Sequence, residues 1–217
     1  MMALRDNPVP QVLRVGVYVD GFNLYYGLRS LRGRRYLWLD LHALAGRLLR
    51  SGQTLATVRY FSAHVRGEPA ALLRQKTYLA VLESLGVEVV LGRFQEQRAS
   101  CRACGVSRRT YEEKQSDVAL AAAMVGDVAL DRVDMVLLLS ADSDLCAAIE
   151  AVRQVDARRG GKTRVVTVFP PGRRSDGLRL ASDAWFPLGE ALVRQSQLPD
   201  LVPGRDGGRY HRPAHWS

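Results

Sequence analysis

The chain has 217 residues, with 31 Lys or Arg against 22 Asp or Glu, which gives a formal charge of +9 and a pI near 9.9. Hydrophobic residues at 47% and charged residues at 24% match an ordinary globular protein and exclude a fully disordered, collagen-like or low-complexity chain. The length suits one α/β domain with at most a tail, and no apolar run approaches the roughly 20 residues that a bilayer span needs.

Short runs rich in Val, Ile, Leu or Tyr alternate with segments of helical period, which is the pattern of βαβ units. A first strand is predicted over residues 14–19, followed by helices over 23–31 and 41–49. A second strand covers 57–63, a helix covers 69–85 with Gly86 as its stop, and a third strand covers 87–94. Residues 96–110 hold four Arg and two Cys without a period and read as a loop or small excursion. Beyond it come a helix over 117–129, a strand over 135–140, a helix over 145–155, a strand over 164–169 and a short sixth strand at 184–188. These strands carry little charge, as strands covered on both faces should. From Pro199 onward Pro, Gly, Arg and His follow without period, a tail that either dangles or drapes over the body. The expected organisation is an N-terminal extension (1–13), one α/β domain (14–195) that contains the Cys- and Arg-rich loop 96–110, and a basic tail (196–217). A mainly parallel central sheet of five to six strands with helices on both faces is the expected fold.

The acids fall where such strands end. The run RVGVYV delivers Asp20, and MVLLLS delivers Asp142 and Asp144 in the same way. In an open parallel sheet the ligand crevice lies outside the carboxyl ends of the strands, where the order of connections reverses. If the first and fourth strands are neighbours there, Asp20 and Asp142 face one pocket. Asp117 follows Ser116, its expected cap, in the first turn of a helix, and shares a stripe with Ala121, Met124 and Val128, which are expected to be buried. A helix dipole accounts for one such Asp, worth about 0.3–1 kcal/mol, but not for three acids. Taken singly, each Asp is equally a cap or a turn residue. Together, carboxylates converging within about 4–6 Å repel unless a cation neutralises them. Mg²⁺ or Mn²⁺ suits carboxylate oxygen, and such an ion activates water toward a phosphodiester. Ser140, Ser143 and Asn23 are placed to orient water or to hold supporting hydrogen bonds.

The segments YVDGFNLYYGL (18–28), YEEKQSDVALAAAM (111–124) and LLLSADSDL (137–145) resemble the three acidic motifs of NYN-domain proteins, in the PIN-like nuclease superfamily that includes the LabA-like group. The resemblance runs from Val15 to Arg194. It implies a Rossmann-like, PIN-type fold and a divalent-metal site that cleaves RNA, making the chain a metal-dependent endoribonuclease. On that pattern Asp20, Asp117 and Asp142 bind the metal, Asp144 is an outer acid and Asn23 a polar partner, with no acid replaced. The alternative is a non-catalytic RNA-binding or regulatory module of the same fold, since several PIN-like proteins act that way. Whether the chain is a toxin of a toxin–antitoxin pair is a matter for genome neighbours, and a protein-interaction module using the tail from Pro199 is a third reading.

Single-stranded RNA would need cations around the acidic notch. Of the 31 basic residues 28 are Arg, whose planar fork suits phosphate. Arg29, Arg32, Arg34 and Arg35 follow the first motif, Arg98, Arg102, Arg108 and Arg109 surround the cysteines, and Arg173 and Arg174 sit in a Pro-Gly loop. Tyr25, Tyr26, Trp38 and Tyr111 are candidates to stack on bases, or to pack in the core. Lys114 either contacts the scissile phosphate or pairs with Glu113 or another acid. Cys101 and Cys104 form a CxxC that is a zinc site completed by another subunit in a homo-oligomer, a redox pair, or two unpaired thiols; related NYN sequences carry such a pair before the EEK motif. Zn²⁺ would find no second pair, because Cys146 lies in a predicted core helix and His42, His64, His211 and His215 lack ligand spacing. Three cysteines and the absence of a leader pattern suggest a cytoplasmic protein. Gly161, Lys162 and Thr163 do not make a P-loop, since they lead into a strand and position 156 is Asp. Phe22 stands where haloacid-dehalogenase chemistry needs a second Asp, and no dinucleotide fingerprint or nucleophile elbow occurs.

Overall fold

A computed structural model of the chain describes residues 12–100, 107–114, 116–204 and 207–216, with backbone alone for 93–100 and 107–114. Among these residues six strands form one parallel sheet: β1 (Leu13–Asp20), β2 (Gln53–Ser62), β3 (Glu88–Leu91), β6 (Met135–Leu139), β7 (Arg164–Phe169) and β8 (Ala184–Pro187). The order across the sheet is β3-β2-β1-β6-β7-β8. The chain therefore winds outward from β1 in one direction through β2 and β3, then returns to the middle and winds the other way from β6.

Period-two alternation divides each central strand between two layers. Val15, Val17 and Val19 of β1, Met135, Leu137 and Leu139 of β6, and Val166 and Val168 of β7 enter one core. Tyr18, Val136, Leu138, Val165 and Phe169 enter the other. The first core lies against α1 (Gly21–Arg32), α2 (Leu41–Leu48), α3 (Pro69–Ser84) and α7 (Glu190–Gln195). The second is covered by α4 (Ser116–Ala129), α5 (Cys146–Arg159) and α6 (Asp176–Ala181). Each buried Val, Leu or Phe contributes about 1.5–3 kcal/mol, so the sheet is held from both faces. Met124 and Val128 of the Asp117 stripe are buried and Ala121 half-buried, which seats α4 against the sheet. Gly86, with φ of 87°, takes the left-handed conformation that ends α3, as expected.

Two local expectations need correction. The single third strand over 87–94 is broken at Gly92, whose N–H donates to the Ser62 carbonyl, leaving the short β3. Most of what was expected as a loop over 96–110 is an antiparallel hairpin, β4 (Arg93–Ser100) with β5 (Ser107–Lys114), in register from Arg93 opposite Lys114 to Ser100 opposite Ser107. Neither RFQEQRAS nor SRRTYEEK has an apolar face, so the alternation that marks a half-buried strand is missing while the backbone still pairs. Cys101, Cys104 and Arg102, like residues 1–11, lie outside the described residues, as do the side chains of Arg98, Arg108, Arg109, Tyr111 and Lys114.

At the carboxyl-terminal end, β9 (Leu201–Pro203) and β10 (Arg209–His211) pair antiparallel, and Leu198, Val202 and Trp216 are buried in the first core. The Asp40 N–H donates to Ser196 and the Leu198 N–H to Trp38, which ties this segment to the start of α2. No helix among the described residues is long and apolar enough to cross a membrane.

Candidate metal centre at the carboxyl edge of the sheet

β1 and β6 are neighbours, so the strand ends that carry Asp20 and Asp142 lie side by side at the point where the winding reverses. Asp20 closes β1 with extended backbone and caps α1: its Oδ1 accepts from the Asn23 N–H at 2.9 Å. Its Oδ2 accepts from the Asn23 side-chain amide at 2.6 Å and from the Ser140 hydroxyl at 2.7 Å. Only 4% exposed, this carboxylate is held from three sides. Ser140, fully buried at the end of β6, also accepts the Asp142 N–H at 3.0 Å, so one hydroxyl ties the two strand ends together. Asp142 caps the short turn that follows, its Oδ1 accepting the Asp144 N–H at 3.0 Å.

Asp117 arrives from the first turn of α4, with the Ser116 hydroxyl 3.4 Å from its Oδ1. Carboxylate oxygens of Asp20, Asp117 and Asp142 all lie within 4.8 Å of one another. Asp20 is buried, Asp142 half-buried and Asp117 exposed at the rim, although its carboxyl faces inward. Shielding of that carboxyl from water raises its pKa, and the negative charges of Asp20 and Asp142 raise it further; the Ser116 hydroxyl opposes both. The notch is thus a like-charge cluster of hard oxygen donors, a set that fits Mg²⁺ or Mn²⁺. Asp144 is exposed and outside this cluster; its charge is the weakest of the influences on Asp117.

The basic residues separate by position. Gly27 allows the Pro170-Pro171 turn to sit against α1, since a Cβ there would stand 2.7 Å from the Pro170 Cβ, and Ser30 donates to the Pro171 carbonyl at 3.3 Å. This docking carries Arg173 to the notch, where it donates to Asn23 Oδ1 at 3.2 Å and lies 5.5 Å over the exposed Tyr26 ring. Arg174 turns the other way, onto Trp185 at 5.3 Å and Asp176 at 3.5 Å. Arg32 pairs with Glu190 at 3.3 Å. Arg35 is exposed and its carbonyl accepts from Arg212, while Arg34 lines a separate cavity between α1 and α3. Lys114, with Arg108 and Arg109, belongs to β5, which leads into α4. Trp38, considered for base stacking, is instead a core residue with no exposure, its Nε1 donating to the Pro199 carbonyl at 2.8 Å. Sequence reasoning passed over the cavity's Arg74 and Tyr78. The signal was present: Ala71, Arg74, Gln75 and Tyr78 all line it at i, i+3, i+4 and i+7 of α3.

The fold is similar to the crystal structure of a protein of unknown function from Vibrio parahaemolyticus, with a TM-score of 0.57 at 19% identity over 84% of this chain and 96% of that one. Over 232 aligned residues the sequence is 28% identical to 6-hydroxy-3-succinoylpyridine 3-monooxygenase HspA of Pseudomonas putida, covering 89% of this chain and 72% of that protein. The NYN domain model matches residues 14–188, a span that includes all three clustered acids and the parallel sheet from β1 to β8. The chain therefore belongs to the NYN domain family, within the PIN-like nuclease superfamily.

Proposed function

We propose that the protein is a metal-dependent endoribonuclease acting on single-stranded RNA. The convergence of Asp20, Asp117 and Asp142 from three separate elements onto one edge of the sheet carries the reading. Asp20 is the fixed wall of the centre, because Asn23 and Ser140 leave it no other orientation. Asp142 and Asp117 complete the oxygen set, and Asp144 assists from outside. An ion held there supplies Lewis-acid polarisation of a phosphoryl oxygen and a bound water of lowered pKa. Arg173 and Tyr26 present a cation and a ring beside the notch, where a backbone phosphate and an unpaired base would lie. Arg108, Arg109 and Lys114 on the hairpin, with Arg34, Arg35 and Arg174, would extend the positive surface.

The test is cleavage of a labelled single-stranded RNA with Mn²⁺ or Mg²⁺ by the wild type and Asp142→Asn. The rate should fall by at least about 100-fold, beyond the effect typical of outer partners of a metal site. Equal rates remove the assignment, and faster cleavage of DNA corrects the substrate.

A second reading has the Pseudomonas putida relative behind it, whose name assigns that protein a pyridine derivative as substrate. In it this chain hydroxylates a small aromatic acid. Oxygen consumption with 6-hydroxy-3-succinoylpyridine and a supplied nicotinamide or flavin reductant, absent in the Asp142→Asn variant, would favour it over RNA cleavage.

A further inference from the structure

We propose that the cavity between α1 and α3 is a binding site for one unpaired nucleotide of the RNA, with the base against its aromatic wall and a phosphate at its arginine-lined mouth. The proposal rests on the ribonuclease reading and names where that substrate is gripped beside the cut.

The cavity measures about 410 Å³, the size of a small-ligand site. Tyr60, Tyr78 and Trp216 form one wall, each less than 10% exposed, with Tyr78 set edge-on to Tyr60 at 6.3 Å and to Trp216 at 5.8 Å. Such a wall accepts the π-face of any base. Four arginines line the cavity against one glutamate, Glu68. Arg34 and Arg74 come from opposite sides and form no ion pair among the described residues. Their field reaches His215, whose ring is held below the ordinary histidine value first by Arg34, then by burial and by Arg74. Two lining guanidinium groups without a carboxylate partner among the described residues favour an anion, and their forks match phosphate. The His64 Nδ1, on another lining residue, is buried without a hydrogen-bond partner among the described residues.

A polymer, not a free small molecule, is the occupant that the surroundings favour. Gly21 lines the cavity and directly follows Asp20 in the chain, so the cavity wall continues into the strand end that carries the notch. The glycine is needed for this, since a Cβ would meet the Tyr60 ring at 2.6 Å and the Phe61 carbonyl at 2.7 Å. Along α1, Tyr25 and Arg29 face the cavity while Tyr26 lies under Arg173 at the notch, the two tyrosine rings meeting edge-on at 5.3 Å. One continuous track of rings and cations joins the two places.

The experiment is equilibrium binding of the four ribonucleoside 5′-monophosphates, and of nicotinate as a small aromatic acid, to the full chain in EDTA, followed by calorimetry. Wild type, Arg34→Ala, Arg74→Ala and Asp142→Asn are compared, with circular dichroism to verify folding. At least one nucleotide should bind at a 1:1 ratio, about tenfold or more weaker in folded Arg34→Ala and Arg74→Ala and unchanged in Asp142→Asn, and a short single-stranded RNA should displace it. Absence of saturable nucleotide binding, equal affinity in both arginine variants, or nicotinate binding tighter than every nucleotide would overturn the proposal. Because the metal is chelated, nucleotide binding without RNA cleavage sinks only the hydrolytic reading, and cleavage without nucleotide binding sinks only this one.

Discussion

Three aspartates meet at the notch, and they are not equivalent. Asp20 is held by hydrogen bonds, since three donors surround its two oxygens. Asp142 has its own cap and a shared serine. Among the described residues Asp117 has a single long contact, from its neighbouring serine, and the other two charges push its pKa upward. A carboxyl whose folded pKa lies above its unfolded one holds its proton more tightly in the fold. Its contribution therefore favours the fold at low pH and turns against it as pH rises through the ordinary Asp value toward the raised one. Asp117→Asn should accordingly raise the melting temperature of the metal-free protein at pH 7, with the gap to wild type closing near pH 4. Mn²⁺ should reverse the order. At about 100 times its Kd an ion stabilises wild type by about 2.7 kcal/mol, or about 5–10 °C in a chain of this length, and the variant should gain much less. A thermal melt of both proteins at the two pH values, with and without Mn²⁺, reads both signs; a variant less stable than wild type in EDTA would mean that the acids do not repel.

The elements that deliver these residues were legible to different degrees, for physical reasons. β1 and β6 are runs of apolar residues cut off by an acid, and both faces of each are covered, so strand and strand end stand out together. α4 was readable from Met124 and Val128 on one stripe with Asp117 at its head. The β4–β5 hairpin was not, because with no apolar face its pairing leaves no mark in the hydrophobic pattern. Nor did spacing foretell that Arg173 reaches Asn23, since that depends on the Pro170-Pro171 turn fitting the gap left by Gly27, a contact between residues about 140 apart in sequence. Ser140 is the joint between elements. It donates to Asp20 at the end of β1 and accepts from the backbone after β6 from a fully buried position. Ser140→Ala should leave the part-buried Asp142 N–H and a buried Asp20 oxygen each short of a partner and cost about 1–3 kcal/mol in urea denaturation. If the strand ends are as coupled as the geometry indicates, Mn²⁺ affinity falls with it, because Ser140 holds Asp20 of the proposed oxygen set without supplying a ligand of its own. A variant that loses stability but binds the ion as tightly as wild type would show that Asp20 keeps its orientation through Asn23 alone.

Across the whole molecule, the strand order β3-β2-β1-β6-β7-β8 decides that there is one notch and where it lies. The reversal of winding falls between the two strands that end in acids, which the sequence could state only as a condition, because strand adjacency is a long-range property that local pattern does not encode. The closing segment of the chain was equally out of reach. Composition after Pro199 left open whether it dangles or drapes, yet Leu198, Val202 and Trp216 enter the first core while Leu201 stays exposed. Trp216 stands 6.2 Å from Trp38 and 5.8 Å from Tyr78, completing a ring cluster that also walls the cavity. Arg212 holds it there, donating to the Trp216 carbonyl and, at 2.6 Å, to the carbonyl of Arg35. The end of the chain thus fastens the residues after α1 to α3. Trp216→Ala should cost about 3–5 kcal/mol, the usual range for deleting a buried Trp. The loss should appear as a lower denaturation midpoint without a change in slope, because the rest of the sheet still unfolds as one unit. Mn²⁺ binding at the notch, built from the ends of β1 and β6 and the first turn of α4, should persist below that midpoint. A midpoint equal to wild type would mean instead that the closing segment rests on the body without supporting it.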